Sequence, residues 1–157
     1  MDFTTKLEMC RSLSDTFELV REVCSFYMGM EQNDLMIGLS DMGKLNDSLL
    51  GAFYSPFSNV IVINSRILRN IRRRSFYKPF LFHILLHEYV HSLGFFDEKK
   101  VREITYMISL ALNNKIVTQL AADMKKFTPD VVPSDNFEEE TNFEIVFLPD
   151  IGKGDIE

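Results

Sequence analysis

His87, Glu88 and His91 set two imidazoles four residues apart, with a carboxylate directly beside the first. A helix turns about 100° per residue, so positions i and i+4 share one face roughly a turn apart and both rings can close on a single ion. Glu88 then stands at the rim, poorly placed to join the same ion but well placed to take a proton from water. Imidazole nitrogens suit zinc, and zinc sites that do chemistry use three protein ligands and leave one position for water. The expected chemistry is hydrolysis by a zinc-activated water, with His87 and His91 as ligands and Glu88 as general base.

The motif needs a rigid element beneath it. Residues 78–86 lead into it, with Pro79 near the first helical position and an apolar body suited to a buried helix. Gly94 follows the second histidine closely and can take the left-handed conformation that ends a helix. All 3 histidines of the chain lie in this segment. His83 sits about 6 Å farther along the axis than His87, too far to share its ion, and is expected to be a packed or hydrogen-bonded side chain. The third ligand is therefore expected to be a carboxylate.

From His87 through Gly94 to Asp97 the chain reads His-Glu-x-x-His-x-x-Gly-x-x-Asp. In this it resembles the zincins. The spacing is similar to the metzincin motif, with aspartate in the place of the usual third histidine. The resemblance implies zinc held by His87, His91 and Asp97, with Gly94 turning the chain back toward the ion. Glu103, in the next predicted helix where gluzincins supply a glutamate, and the adjacent Glu98 are the alternatives, and Asp97 also fits a helix N-cap.

Upstream, residues 49–54 and 60–64 read as two strands joined by a turn at 55–59. Metzincins hold the substrate backbone on an edge strand just before the zinc helix, and the resemblance gives residues 49–54 that role. An edge strand does offer unpaired N–H and C=O groups to an extended peptide. No counterpart of the metzincin methionine turn is visible, since Met107 and Met124 fall in helical stretches and read as core. The likeness covers residues 49 to 97, and a divergent small zincin is the expectation.

With 157 residues, 46% hydrophobic and 14 Phe, the chain can bury one sizeable core. A single catalytic domain is expected over residues 1–130, followed over 131–157 by an acidic C-terminal tail or edge strand. Phe3, Leu7, Cys10, Phe17, Val20, Cys24 and Tyr27 recur at helical spacing and predict one long or two consecutive helices. A first strand is expected within 34–41, a short helix capped by Asn64 and running through Arg74, and helices over 98–113 and 115–127 before a linker at 128–135. The fold class expected is α+β, a small mixed β-sheet packed on helices, with the zinc-binding helix crossing beneath.

Cys10 and Cys24 read as reduced core residues, not a disulfide framework. The first residues lack the basic start and apolar run of a signal peptide, and no apolar stretch reaches membrane-spanning length, so a cytoplasmic protein without a membrane partner is expected. Arg66, Arg69, Arg72, Arg73, Arg74 and Lys78 form a basic cluster. At a net charge of -6 it is read as a solvated face, not a nucleic-acid site. The expected partner is a peptide or protein substrate. The alternatives are a non-catalytic module braced by zinc and a zinc hydrolase acting on a non-peptide substrate.

Overall fold

Short polar side chains start most of the helices. Asp2 accepts from the Thr5 N–H to open α1 (Phe3–Met9), and Ser12 accepts from the Asp15 N–H to open α2 (Leu13–Met28). Asn64 opens α3 (Ser65–Ile71), and Asn114 opens α6 (Lys115–Ala122) by accepting from the Val117 N–H. Each cap satisfies one of the amide hydrogens that a helix start leaves without an intrahelical partner. Two more helices lie among the described residues: α4 (Tyr77–Ser92), which starts at Phe76 without a side-chain cap, and α5 (Glu98–Leu112), capped by Asp97. The computed structural model describes residues 1–42 and 51–123, together with the backbone of 142–147.

Four strands, β1 (Met36–Asp41), β2 (Ala52–Ser55), β3 (Val60–Asn64) and β4 (Asn142–Phe147), form one mixed sheet in the order β2-β3-β1-β4. β1 runs parallel to β3, while β2 pairs with β3 and β4 with β1 in antiparallel fashion. All five residues of β3 are buried, as expected for a Val/Ile run covered on both faces. β2 is an edge, joined to β3 by a hairpin in which Tyr54 lies opposite Ile61. The α+β class and the hairpin thus appear as the sequence predicts. The strand expected over 49–54 is described from Ala52 onward, and residues 49 and 50 lie outside the described set.

The core gathers around α4. Phe80, Leu81, Phe82, Ile84, Leu85, Leu86, Tyr89 and Val90 are all buried and lie on every side of this helix. A helix this apolar must be covered on most sides, and α1, α2, α5, α6, β2 and β3 supply the cover. The Tyr89 hydroxyl, deep in this packing, accepts from the Gln32 N–H at 2.9 Å. The ring of Tyr89 meets Phe17 edge-on at 5.7 Å, fixing α2 against α4.

Two expectations about exposure change. Met107, expected in the core, is 69% exposed. Arg66, expected on a solvated face, is buried and forms a two-pronged ion pair with Asp41, its Nε 2.9 Å from Oδ1 and its Nη2 3.1 Å from Oδ2. Arg69 joins the same carboxylate at 3.2 Å. Helix α3 is thereby tied to the end of β1. Met124, the linker expected at 128–135 and the boundary expected at residue 130 fall outside the described residues. No helix among the described residues is long and apolar enough to cross a membrane.

Candidate metal centre

Helix α4 carries His87 and His91 one turn apart, with ring centroids 5.1 Å from each other. The helix then stops, and Gly94 takes φ +110° with its N–H donating to the His91 carbonyl. That left-handed residue turns the chain so that the Phe95 carbonyl comes back to His91 Nδ1 at 2.8 Å. Helix α5 begins at Glu98, three residues after Phe95. Asp97 is its N-cap, the side chain accepting from the Lys99 N–H at 3.3 Å.

Capping commits the Asp97 carboxylate to the helix end, and the next residue faces the histidines instead. Glu98 Oε1 lies 2.5 Å from His87 Nε2, and Oε2 lies 3.1 Å from His91 Nε2. One donor atom each from His87, His91 and Glu98 falls within 4.8 Å of the others. Asp97, the expected third ligand, is not in this group, and Glu103 is exposed elsewhere on α5. Among the described residues, the carboxylate brought to the two imidazoles is that of Glu98.

The donor set fits a metal cation. A ring nitrogen facing a carbonyl must carry the proton, so the bond from His91 Nδ1 to Phe95 leaves Nε2 of the neutral imidazole with a bare lone pair. That lone pair points at a carboxylate oxygen. Two acceptors face each other, and a cation between them satisfies both. Two imidazole nitrogens and one carboxylate oxygen suit zinc. Burial pushes His87 below its ordinary range, against the pull of Glu98, and so favours the neutral form that can ligate. Burial also raises Glu98, but the two imidazoles outweigh it and hold its carboxyl below the usual range.

Glu88 sits beside this group, half-buried. Burial first, and the Glu98 carboxylate second, push its carboxyl up to about 8, while a hydrogen bond from the backbone of Tyr54 works in the opposite direction. A base tuned near neutrality both accepts and returns protons efficiently. The Tyr54 contact also places the edge strand β2 at the rim of the centre. A cavity of about 640 Å³ opens there, bounded by Ala52, His83, Ile84, His87, Glu88, Arg102 and Leu120 among others. His83 is buried and outside the metal-capable group, with its ring centroid 6.4 Å from that of His87. Among the described residues its Nδ1 meets no hydrogen-bond partner, so there it is packed but not paired at that atom.

The hydroxyls of Tyr89, Tyr54 and Tyr106 do not serve the centre. Tyr89 is engaged with Gln32, and the Tyr54 hydroxyl donates to Asn59 Oδ1 at 2.8 Å. Tyr106 is exposed on α5 and does not line the cavity. Two contributors are not foreseen from the sequence, the Phe95 carbonyl and the Tyr54 amide. Both are main-chain groups, and residue types carry no signal for them. Comparison with protein-family models, curated proteins and solved structures finds no match for this chain.

Proposed function

We propose that this chain is a zinc-dependent metallopeptidase of zincin type, with zinc held by His87, His91 and Glu98. The observation that carries the reading is the convergence of those three donors within 4.8 Å, with Glu88 and an edge strand beside them. A zinc ion bound there supplies an acidified water and polarises the carbonyl under attack. His91 is held in its ligating tautomer by the Phe95 carbonyl. The Glu88 carboxylate accepts the proton of the attacking water and passes it to the leaving nitrogen.

Peptide is favoured as substrate by the edge. Hydrogen-bonded pairs alternate along an antiparallel ladder, and the Asn64 N–H donates to the Gly51 carbonyl at 2.8 Å. The main-chain groups of Ala52 and Tyr54 therefore turn away from β3; the Tyr54 N–H meets Glu88, which leaves the Ala52 N–H and C=O and the Tyr54 C=O to pair with a strand. An extended peptide laid along them adds a strand and brings a carbonyl to the centre. The cavity beside His87 can receive one of its side chains.

The test is a metal analysis of the purified protein combined with proteome-wide cleavage mapping against Glu88→Gln. The variant is expected to keep its zinc and to lose cleavage by about 10²-fold or more, the range of a positioned general base. Undiminished cleavage in a zinc-retaining variant removes Glu88 from that role. Zinc without any cleavage by the native chain points to the braced, non-catalytic module.

A further inference from the structure

One buried polar atom in the wall of the cavity beside the metal centre has no partner. His83 lies one turn before His87 on α4 and is only 6% exposed, yet it lines that space of about 640 Å³. Among the described residues its Nδ1 meets no hydrogen-bond donor or acceptor. An imidazole nitrogen taken out of water and left bare carries the whole penalty of its lost hydration. Such atoms are rare in native cores, and one in a cavity wall is relieved when a ligand brings the missing group.

The other polar groups described in this wall are engaged or face solvent. The Thr105 hydroxyl donates to the Arg102 carbonyl at 3.0 Å, and the Glu98 carboxylate faces the imidazoles of His87 and His91. Arg102 and Asp123 are exposed. Ala52, Ile84 and Leu120, all buried, give the cavity an apolar side. A side chain that enters therefore loses water and finds His83 as the buried polar group still to be matched. Gly51 and Ala52 line the same space, so the edge that would carry a peptide borders it.

The chemistry of the ring decides what can match it. Burial first, and His87 second, hold the imidazole down to about 3. It stands neutral, and its Nδ1 presents an N–H or a lone pair according to tautomer. A carboxamide carries both an acceptor oxygen and a donor nitrogen, and so answers either form. An apolar side chain fills the volume but leaves Nδ1 bare, and a site with an unmatched polar group discriminates against it. A carboxylate sheds a tighter hydration shell and enters beside Glu88 and Glu98. His83 stands about 6 Å along the helix axis from His87, a depth that suits glutamine better than the shorter asparagine.

We propose that this cavity is a specificity pocket for glutamine, holding the carboxamide of a substrate residue next to the scissile bond against His83. The proposal rests on the peptidase reading for its substrate, and its test separates the two.

Peptide mixtures randomised at every position but one, fixed as Gln, Glu or Met, the last being the closest apolar isostere of Gln, are digested by the zinc-loaded native chain. At one position flanking the cleaved bond, kcat/KM is expected to favour Gln over Met about tenfold, the size of one hydrogen bond to a buried group, and Gln over Glu by more. His83→Leu is expected to fold, since it replaces a bare polar atom with apolar surface, and to bring the Gln to Met ratio near one. His83→Asn offers an amide near the place of Nδ1 and is expected to keep most of the preference. The same mixtures, carrying a fluorophore and titrated by anisotropy into the zinc-loaded Glu88→Gln chain, read the preference without turnover. A native preference for Met or Glu overturns the proposal, as does a Gln to Met ratio that His83→Leu leaves unchanged. Equal loss in His83→Leu and His83→Asn also overturns it and makes His83 a packing residue. Cleavage without a preference that depends on His83 removes the pocket and leaves the peptidase. A preference that depends on His83 in the anisotropy, with no cleavage by the native chain, removes the peptidase and leaves the pocket.

Discussion

Asp97 and Glu98 are adjacent acids whose carboxylates do different work, and the difference is measurable. Asp97 holds the first turn of α5, so Asp97→Ala is expected to cost about 1 kcal/mol of stability, the usual value of an N-cap, and to leave metal affinity intact. Glu98 faces both imidazoles. Glu98→Ala is expected to weaken zinc binding by more than the roughly 10- to 100-fold typical of losing an outer partner, while melting near the native temperature in chelator. Competition with a chromogenic chelator and thermal melts separate the two, and reversed results would return the ligand role to Asp97. The cysteines give a second prediction at this scale. Cys24 is fully buried and its thiol is pushed up to about 12 by burial; burial raises Cys10 as well. A thiolate is the reactive form. Both thiols should therefore react with a disulfide reagent far more slowly in the native protein than in denaturant, and rapid native labelling at pH 8 would show that the packing around α2 is wrong.

Helix α3 is fastened to β1 through one carboxylate, and the fastening is largely out of water: the Arg66 and Asp41 side chains are 8% and 16% exposed. Asp41→Asn keeps the shape but removes the negative charge that Arg66 and Arg69 share, and is expected to cost about 1–3 kcal/mol in urea unfolding. A loss below about 1 kcal/mol would mean the pair behaves like a surface bridge. This pairing also shows where sequence reasoning runs out. Residues 41 and 66 are far apart in the chain, and nothing local distinguishes Arg66 from its exposed neighbours. By contrast α4 is legible almost to its ends, because Pro79 and Gly94 mark it and the apolar run between them is broken only by His83, the motif and Ser92. The hairpin is legible for the same reason, a β-branched run behind a turn rich in Ser, Pro and Asn. The choice among acids is not legible. A cap and a ligand both want a short carboxylate at the start of α5, and only the path of the turn after Gly94 decides which residue does which. Met107 misleads because its helical spacing fits either face of α5.

At the scale of the whole molecule, stability and pH are linked through His83. Burial, and to a lesser degree His87, hold its imidazole down to about 3. The unfolded chain takes up a proton near pH 6.5 that the folded chain refuses. Stability should therefore be greatest above 6.5 and fall as pH drops from there toward about 3. His83→Phe, compared with the native chain by urea unfolding at pH 7 and pH 5 in chelator, is expected to show a shallower fall whatever its absolute stability. Equal slopes would place the acid sensitivity elsewhere. The contact between the Tyr54 amide and Glu88 also reaches beyond its own residues. In a peptidase of this design, the strand that receives the substrate is the one that steadies the group moving the proton. A peptide that seats badly along β2 would disturb the base as well as its own hold on the protein. Discrimination among substrates should then be written into turnover number more than into Michaelis constant, and a tightly gripped but misaligned peptide would behave as an inhibitor.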